Sequence, residues 1–217
     1  MVKKIALYVF LLVSILDVIG IIFKVDTLVF IFKPLILLSL LFLYSHSVTV
    51  KNNWYLMALI FSFFGDVFLL YSGDTVFKLG LVSFLIAHLL FIAIVIKQIK
   101  KASIARVLVA IIPFAIIVVG LLFLLKDSLD ELMIPVIIYA ITIATFGIVS
   151  MLNYMNVKSK KTLLMLIGAI VFIASDAILA INKFYHSALI FQAMVMITYV
   201  SAQYLIYKSM ILKIDIN

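Results

Sequence analysis

Eight long apolar segments, separated by short polar breaks, constrain this chain more than any other feature of its sequence. They cover residues 5–23, 28–44, 54–71, 77–96, 104–125, 132–151, 162–181 and 187–207. A helix of roughly 20 residues crosses the hydrocarbon core of a bilayer. Hydrophobic residues make up 68% of the 217 residues and charged residues only 12%, which is far from the balance of a soluble domain. We therefore predict an all-α, polytopic integral membrane protein of eight transmembrane helices, forming a single domain over residues 1–217.

Basic residues are unevenly distributed between the two ends of the predicted helix bundle. Five of the 17 lie at one end: Lys24, Lys33, Lys78, Lys126 and Lys183. The other twelve lie at the end that holds both termini: Lys3, Lys4, Lys51, Lys97, Lys100, Lys101, Arg106, Lys158, Lys160, Lys161, Lys208 and Lys213. Because cytoplasmic loops carry the excess of Lys and Arg, we predict that both termini are cytoplasmic. The cations form no broad stripe, so the net charge of +8 does not indicate a nucleic-acid partner.

Several kinds of chemistry are excluded or disfavoured by what the sequence lacks. It contains no cysteine, so thiolate metal sites and cysteine nucleophiles are impossible. The histidines, His46, His88 and His186, have no HxxxH spacing, and neither a GxSxG elbow nor a P-loop occurs. We therefore predict no metal site and no cofactor. No cleavage-site pattern follows the first segment, so we expect a retained helix there.

Charged side chains inside the apolar segments mark candidate functional positions, because each costs roughly 2.5–3.5 kcal/mol to insert. Asp66 and Asp176 both follow a small residue in the second half of an odd-numbered segment, and they lie 110 residues apart. This offset is consistent with a four-plus-four parallel repeat. His88 lies in the middle of the fourth segment, and Lys33 lies about one turn inside the second. We expect the two aspartates to face one shared cavity.

Each of these residues also has a structural interpretation. An intramembrane aspartate can simply hydrogen-bond to a neighbouring helix, and for Asp17 either this role or that of a neutral buried acid is the favoured interpretation. His88 can be a packed core residue, and Lys33 can extend its ammonium group toward the interface. Tyr199 and Gln203, one turn apart on the eighth segment, can join helices by hydrogen bonds.

Several blocks of the sequence resemble the YhhN-like lysoplasmalogenase family. They lie at residues 33–34 (KP), 61–70 (FSFFGDVFLL), 77–80, 84–88, 168–184 and 199–203. The resemblance implies a multi-helix membrane hydrolase that cleaves the vinyl ether of lysoplasmalogen to a fatty aldehyde and a glycerophospho-alcohol. It implies that Asp66 and Asp176 are the catalytic pair, with a lysophospholipid substrate and membrane lipid as partners.

The chemistry of that reaction suits a pair of carboxyl groups. Vinyl-ether hydrolysis begins with slow proton transfer to carbon, and water then captures an oxocarbenium ion. It therefore needs a protonated acid and a carboxylate, as glycosidases do. We expect the substrate to be bound by six further residues: Lys33, Ser62, His88, Asn182, Tyr199 and Gln203. Lys33 either meets the lipid phosphate or pairs with an aspartate.

Two other functions remain open from the sequence. In a small lipid or ion transporter, the same aspartates would couple transport to a proton or a cation. In a membrane scaffold, they would have no chemical role. The Ile- and Lys-rich composition indicates a bacterial inner membrane as the location.

Overall fold

The computed structural model describes residues 2–99 and 102–212, and every regular element in this part of the chain is helical. The eight α-helices are α1 Val2–Ile22, α2 Asp26–Ser45, α3 Asn53–Phe68, α4 Asp74–Ile96, α5 Ile104–Leu125, α6 Met133–Asn156, α7 Lys160–Phe184 and α8 Leu189–Ile211. Two short 3-10 helices, Lys126–Ser128 and Asp130–Leu132, connect α5 to α6. The all-α prediction is confirmed, and each predicted segment corresponds to one helix.

Helix α3 is shorter than the other seven α-helices. Among the described residues, seven helices are long and apolar enough to cross a membrane, which supports a polytopic membrane protein. The exception is α3, whose 16 residues extend about 24 Å, less than the roughly 30 Å of the hydrocarbon core. Eight spanning helices therefore remain a prediction.

Side-chain caps and one glycine set several helix boundaries. The side chain of Asn52 accepts a hydrogen bond from the backbone N–H of Tyr55 at 3.2 Å, which caps α3. Ser159 and Thr162 form a reciprocal capping box at the start of α7. Before α4, Gly73 has φ 122°, a backbone conformation that other residues rarely adopt. These residues turn the chain sharply between apolar helices.

The four connections from an odd-numbered helix to the next even-numbered helix lie together at one end of the bundle, which we call the cavity end. Lys24, Gly73 and Ser187, from three of these connections, line two adjoining cavities. In the fourth, Leu129 packs in one apolar cluster with Phe77, near the start of α4. The helices therefore alternate in direction along the chain.

The remaining connections lie at the opposite end, which also contains the end of α8. Ser47, after α2, shares a hydrogen bond of 2.8 Å with the hydroxyl of Tyr207. Ser209 donates to the carbonyl oxygen of Lys161, at the start of α7, at 2.8 Å. This arrangement matches the two ends used to sort the basic residues, although Lys100, Lys101 and Lys213 lie outside the described residues. That this end faces the cytoplasm remains a prediction, as does the internal repeat.

The core is aromatic in the middle of the bundle, and α5 lies at its edge. Tyr55, Phe91, Phe146 and Phe172 are fully buried between α3, α4, α6 and α7. By contrast, α5 buries only three residues, Ala110, Phe114 and Leu125. Val118, Leu121 and Leu122 are half-buried, and most of its other apolar side chains face outward, as they do on a helix in contact with lipid.

Candidate active site

A polar cavity of about 530 Å³ opens at the cavity end of the bundle. Asp66 and Asp176 both line it, together with Lys33, Asn182 and Tyr199. An adjoining cavity of about 640 Å³ reaches the α1–α2 connection and shares Lys33 and Asn182 with the first. The structure thus brings five of the eight predicted site residues around one cavity.

Asp66 is held by a chain of side chains that reaches it from α8. It is buried near the end of α3, and the Tyr199 hydroxyl donates a hydrogen bond to its Oδ2 atom at 2.8 Å. The side-chain amide of Gln203 in turn donates to the Tyr199 oxygen at 3.5 Å, a long contact that contributes little. Gln203 therefore lies behind Tyr199 and does not line the cavity.

Asp176 has a comparable partner on a different helix. The hydroxyl of Tyr139, on α6, donates a hydrogen bond to Oδ2 of Asp176. Sequence analysis missed Tyr139, because no recognised block covers α6. The one available signal was a tyrosine in the middle of an apolar helix, whose hydroxyl needs a partner when buried.

The small residue before each aspartate allows a neighbouring helix to approach. A Cβ atom at Gly65 would overlap the Phe84 ring of α4. Ser175 instead donates a hydrogen bond of 3.0 Å to the backbone oxygen of Val195, on α8. Both contacts fix a helix close to the aspartate that follows, which explains physically why a small residue precedes each one.

Lys33 brings one positive charge to this cavity, which Lys183 also lines. It is half-buried and lies about two turns after the start of α2 at Asp26, deeper than the single turn that we predicted, because α2 begins earlier than its apolar segment. Its charge acts on Asp66 and also on Asp17. Asp17 is buried outside the cavity, and neither of its oxygens has a hydrogen-bond partner in the described part of the chain. The interhelical hydrogen bond considered for Asp17 is therefore not found there.

The other three predicted residues have surroundings of different kinds. Asn182 accepts a hydrogen bond from the backbone N–H of Ala188 at 3.0 Å, so it fixes the α7–α8 connection at the cavity rim. His88 is fully buried, and its Nδ1 atom donates to the Phe84 oxygen at 2.8 Å. Ser62 is buried one turn before Asp66. Neither His88 nor Ser62 lines the cavity, and their roles in substrate binding remain predictions.

The assembled groups suit acid–base chemistry. The cavity presents two carboxyl groups, the Tyr199 hydroxyl and the ammonium groups of Lys33 and Lys183, which can transfer a proton and position water. Within residues 2–99 and 102–212, no three His, Asp or Glu side chains are grouped so that they could hold a metal ion. The charged groups of the cavity are thus a pair of carboxyl groups and two lysines.

Comparison with known proteins identifies the family. The YhhN family model matches residues 28–210, which is most of the chain. This chain belongs to the YhhN family. It is 30% identical over 144 residues to proteins named lysoplasmalogenase from Mycobacterium bovis and Mycobacterium tuberculosis. The aligned part covers 64% of this chain and 53% of each relative, so the chain spans about half the length of these curated relatives. No solved structure matches it significantly.

Proposed function

We propose that this YhhN-family protein hydrolyses the vinyl ether bond of lysoplasmalogen, giving a fatty aldehyde and a glycerophospho-alcohol. One observation carries the proposal: Asp66 and Asp176 line a single cavity between membrane helices. The similarity to proteins named lysoplasmalogenase supports the same substrate. The two aspartates act as the catalytic residues.

The first step is protonation of carbon. One aspartic acid donates its proton to the vinyl carbon on the chain side, and the double-bond electrons form the new C–H bond. Positive charge then develops on the other vinyl carbon and the ether oxygen. The second aspartate, as a carboxylate, stabilises this oxocarbenium ion, as carboxylates do in glycosidases.

Water completes the reaction. It adds to the cationic carbon, and the carboxylate accepts its proton, which leaves a hemiacetal. The hemiacetal hydroxyl then returns a proton to the first aspartate, while the second protonates the ether oxygen. The carbon–oxygen bond breaks, the aldehyde forms, and both aspartates regain their starting states. One water is consumed for each ether cleaved.

We place the lipid phosphate near Lys33. A phosphate buried without a partner is costly, and Lys33 lines both the aspartate cavity and the adjoining cavity of about 640 Å³. Asn182, which lines the same two cavities, adds a neutral hydrogen-bonding group. In this arrangement, the head group occupies the cavity end and the ether lies beside the carboxyl groups.

The structure favours this function over transport. Helix α7 continues without interruption for eight residues past Asp176, to Phe184, and α3 has no break between Asn53 and Asp66, whereas transporter sites commonly lie at broken helices. Beyond the cavity, His88 packs on Phe172 at 4.6 Å, and Phe91 stacks on Phe146 at 5.4 Å. This aromatic layer separates the aspartates from the opposite end of the bundle.

The test uses the purified protein in lipid nanodiscs. With lysoplasmalogen, we expect fatty aldehyde and glycerophospho-alcohol in equal amounts. An acyl lysophospholipid with the same head group and chain length is the control, and it should release no fatty acid. Absence of aldehyde, or equal cleavage of the acyl compound, would overturn the proposed vinyl-ether specificity.

A further inference from the structure

An apolar groove between α5, α6 and α7 meets the polar cavity at Asp176. Asp176 lines both spaces, and Tyr139 lines the groove beside it. Most other groove residues are aliphatic or small, among them Val118 on α5, Ala140 and Ala144 on α6, and Ala177 on α7. One carboxyl group is thus reached from a polar space on one side and an apolar space on the other.

We infer that this groove binds the fatty chain of a single-chain phospholipid, with its polar head in the cavity. This inference rests on the proposed function, since it places the bond to be cleaved at Asp176. An amphipathic molecule needs a polar and an apolar space that meet. The alanines on α6 and α7 keep the groove open along its length. Because it encloses only about 50 Å³, the chain lies along the groove with its outer side in contact with membrane lipid.

The direction and depth of the groove suit a lipid chain. Along α6 it runs from Val136 to Ala144, which is about 12 Å at 1.5 Å per residue. Its deep end is closed by Phe114, which packs so closely on Gly147 that a Cβ atom there would overlap the ring. Its side is open, because Ile117 is 41% exposed. A chain would therefore run toward the bilayer centre, and its end would leave sideways into lipid.

A second apolar space beside Asp176, between α4, α6 and α7, is less suitable. It shares Phe77, Phe84 and Leu179 with the polar cavity. On α7, however, its lining residues lie at Asp176 or nearer the cavity end, so it gives no path past Asp176 toward the bilayer centre. The α5–α6–α7 groove does extend past Asp176, as far as Ile173 on α7. We therefore assign the chain to the α5–α6–α7 groove.

This placement orients the vinyl ether and gives the two aspartates different roles in the reaction. The chain-side carbon, which receives the proton, lies toward the groove and Asp176. The oxygen-side carbon, which receives water, lies toward the polar cavity with Asp66 and Lys33. Asp176 is therefore the proton donor to carbon, and Asp66 is the carboxylate that accepts a proton from water.

A matched pair of substitutions on α5 tests the groove. Val118 lines it, whereas its neighbour Val119 is 66% exposed and does not. Side chains lean toward the start of their helix, so the ring in Val118→Phe should enter the deeper part of the groove. For a long-chain substrate relative to a short-chain one, kcat/KM should fall about tenfold in Val118→Phe and stay unchanged in Val119→Phe. An unchanged chain-length profile in both variants would overturn the assignment.

A binding measurement separates this inference from the proposed function. Lysophosphatidylcholine with a diazirine in its chain should label residues 114–121 and 136–144 after illumination of the wild-type protein. Excess unlabelled lysophosphatidylcholine and the Val118→Phe substitution should each suppress this labelling. Labelling that neither suppresses, or that falls on other helices, would reject the groove. Labelling needs no turnover, so a protein that labels as expected but releases no aldehyde would refute only the proposed function.

Discussion

Removing the hydroxyl of Tyr139 should slow catalysis without weakening substrate binding. Tyr139 donates a hydrogen bond to Asp176, which we propose as the proton donor. A hydrogen bond to a neutral group contributes about 0.5–1.5 kcal/mol, and one to a charged group about 1.5–3. Because Asp176 becomes a carboxylate as its proton leaves, the bond strengthens in the transition state. The difference, about 1–1.5 kcal/mol, corresponds to a kcat lower by about five- to tenfold in Tyr139→Phe.

Steady-state aldehyde release in nanodiscs measures this effect, with kcat and KM determined separately. The matched control is Tyr154→Phe on the same helix, 15 residues further along α6 and so about 22 Å from Tyr139. Tyr154→Phe should retain wild-type kinetics. If Tyr139→Phe kept the wild-type kcat, or changed KM alone, the hydrogen bond would have no part in proton transfer.

Three further changes test other parts of the site and the fold. Replacing Lys33 with Met should raise KM about tenfold or more with little change in kcat, because a charge-assisted contact to the phosphate is lost. A lower kcat, together with a shifted acid limb of the pH–rate profile, would instead indicate that Lys33 pairs with Asp66. Activity should persist in excess EDTA, whereas loss in EDTA with recovery on adding zinc would contradict acid–base catalysis by carboxyl groups. Gly65→Ala should destabilise the fold by about 1–3 kcal/mol, because its Cβ would overlap Phe84, and thermal unfolding in detergent should show this loss. Gly120→Ala, in open space within α5, should unfold at or slightly above the wild-type temperature, because Ala is more favourable than Gly inside a helix.

Helix positions could be predicted because the solvent of this chain is lipid. For α5, the predicted segment 104–125 agrees with the helix Ile104–Leu125, since long apolar runs in a bilayer must be helical. The end of α3 was placed wrongly: the predicted segment reached residue 71, but the helix ends at Phe68. Residues 69–71 are as apolar as the helix, and hydropathy cannot distinguish a turn from a helix there.

The charged residues of the site could be predicted from the sequence for a related reason. A charge in an apolar segment is costly wherever it lies, so Asp66, Asp176 and Lys33 stood out in the sequence. Tyr139 did not, because its importance depends on which helix lies beside α7. The groove depends on the relative rotation of α5, α6 and α7, and alanines in apolar segments carry no such information. His88 was noticed for its charge and depth, yet it packs behind the cavity among aromatic rings.

Turnover of lysoplasmalogen by Asp66→Asn and Asp176→Asn tests the proposed aspartate pair most directly. Asparagine keeps the shape of the side chain but cannot exchange a proton as a carboxyl group does. Each variant should fold normally and release aldehyde at least about 10²-fold more slowly than the wild type. Asp17→Asn is the matched control, since Asp17 is equally intramembrane but lies outside the cavity, and it should retain activity. Near-normal aldehyde release by both Asp66→Asn and Asp176→Asn would contradict catalysis by the pair and show that these carboxyl groups serve the structure alone.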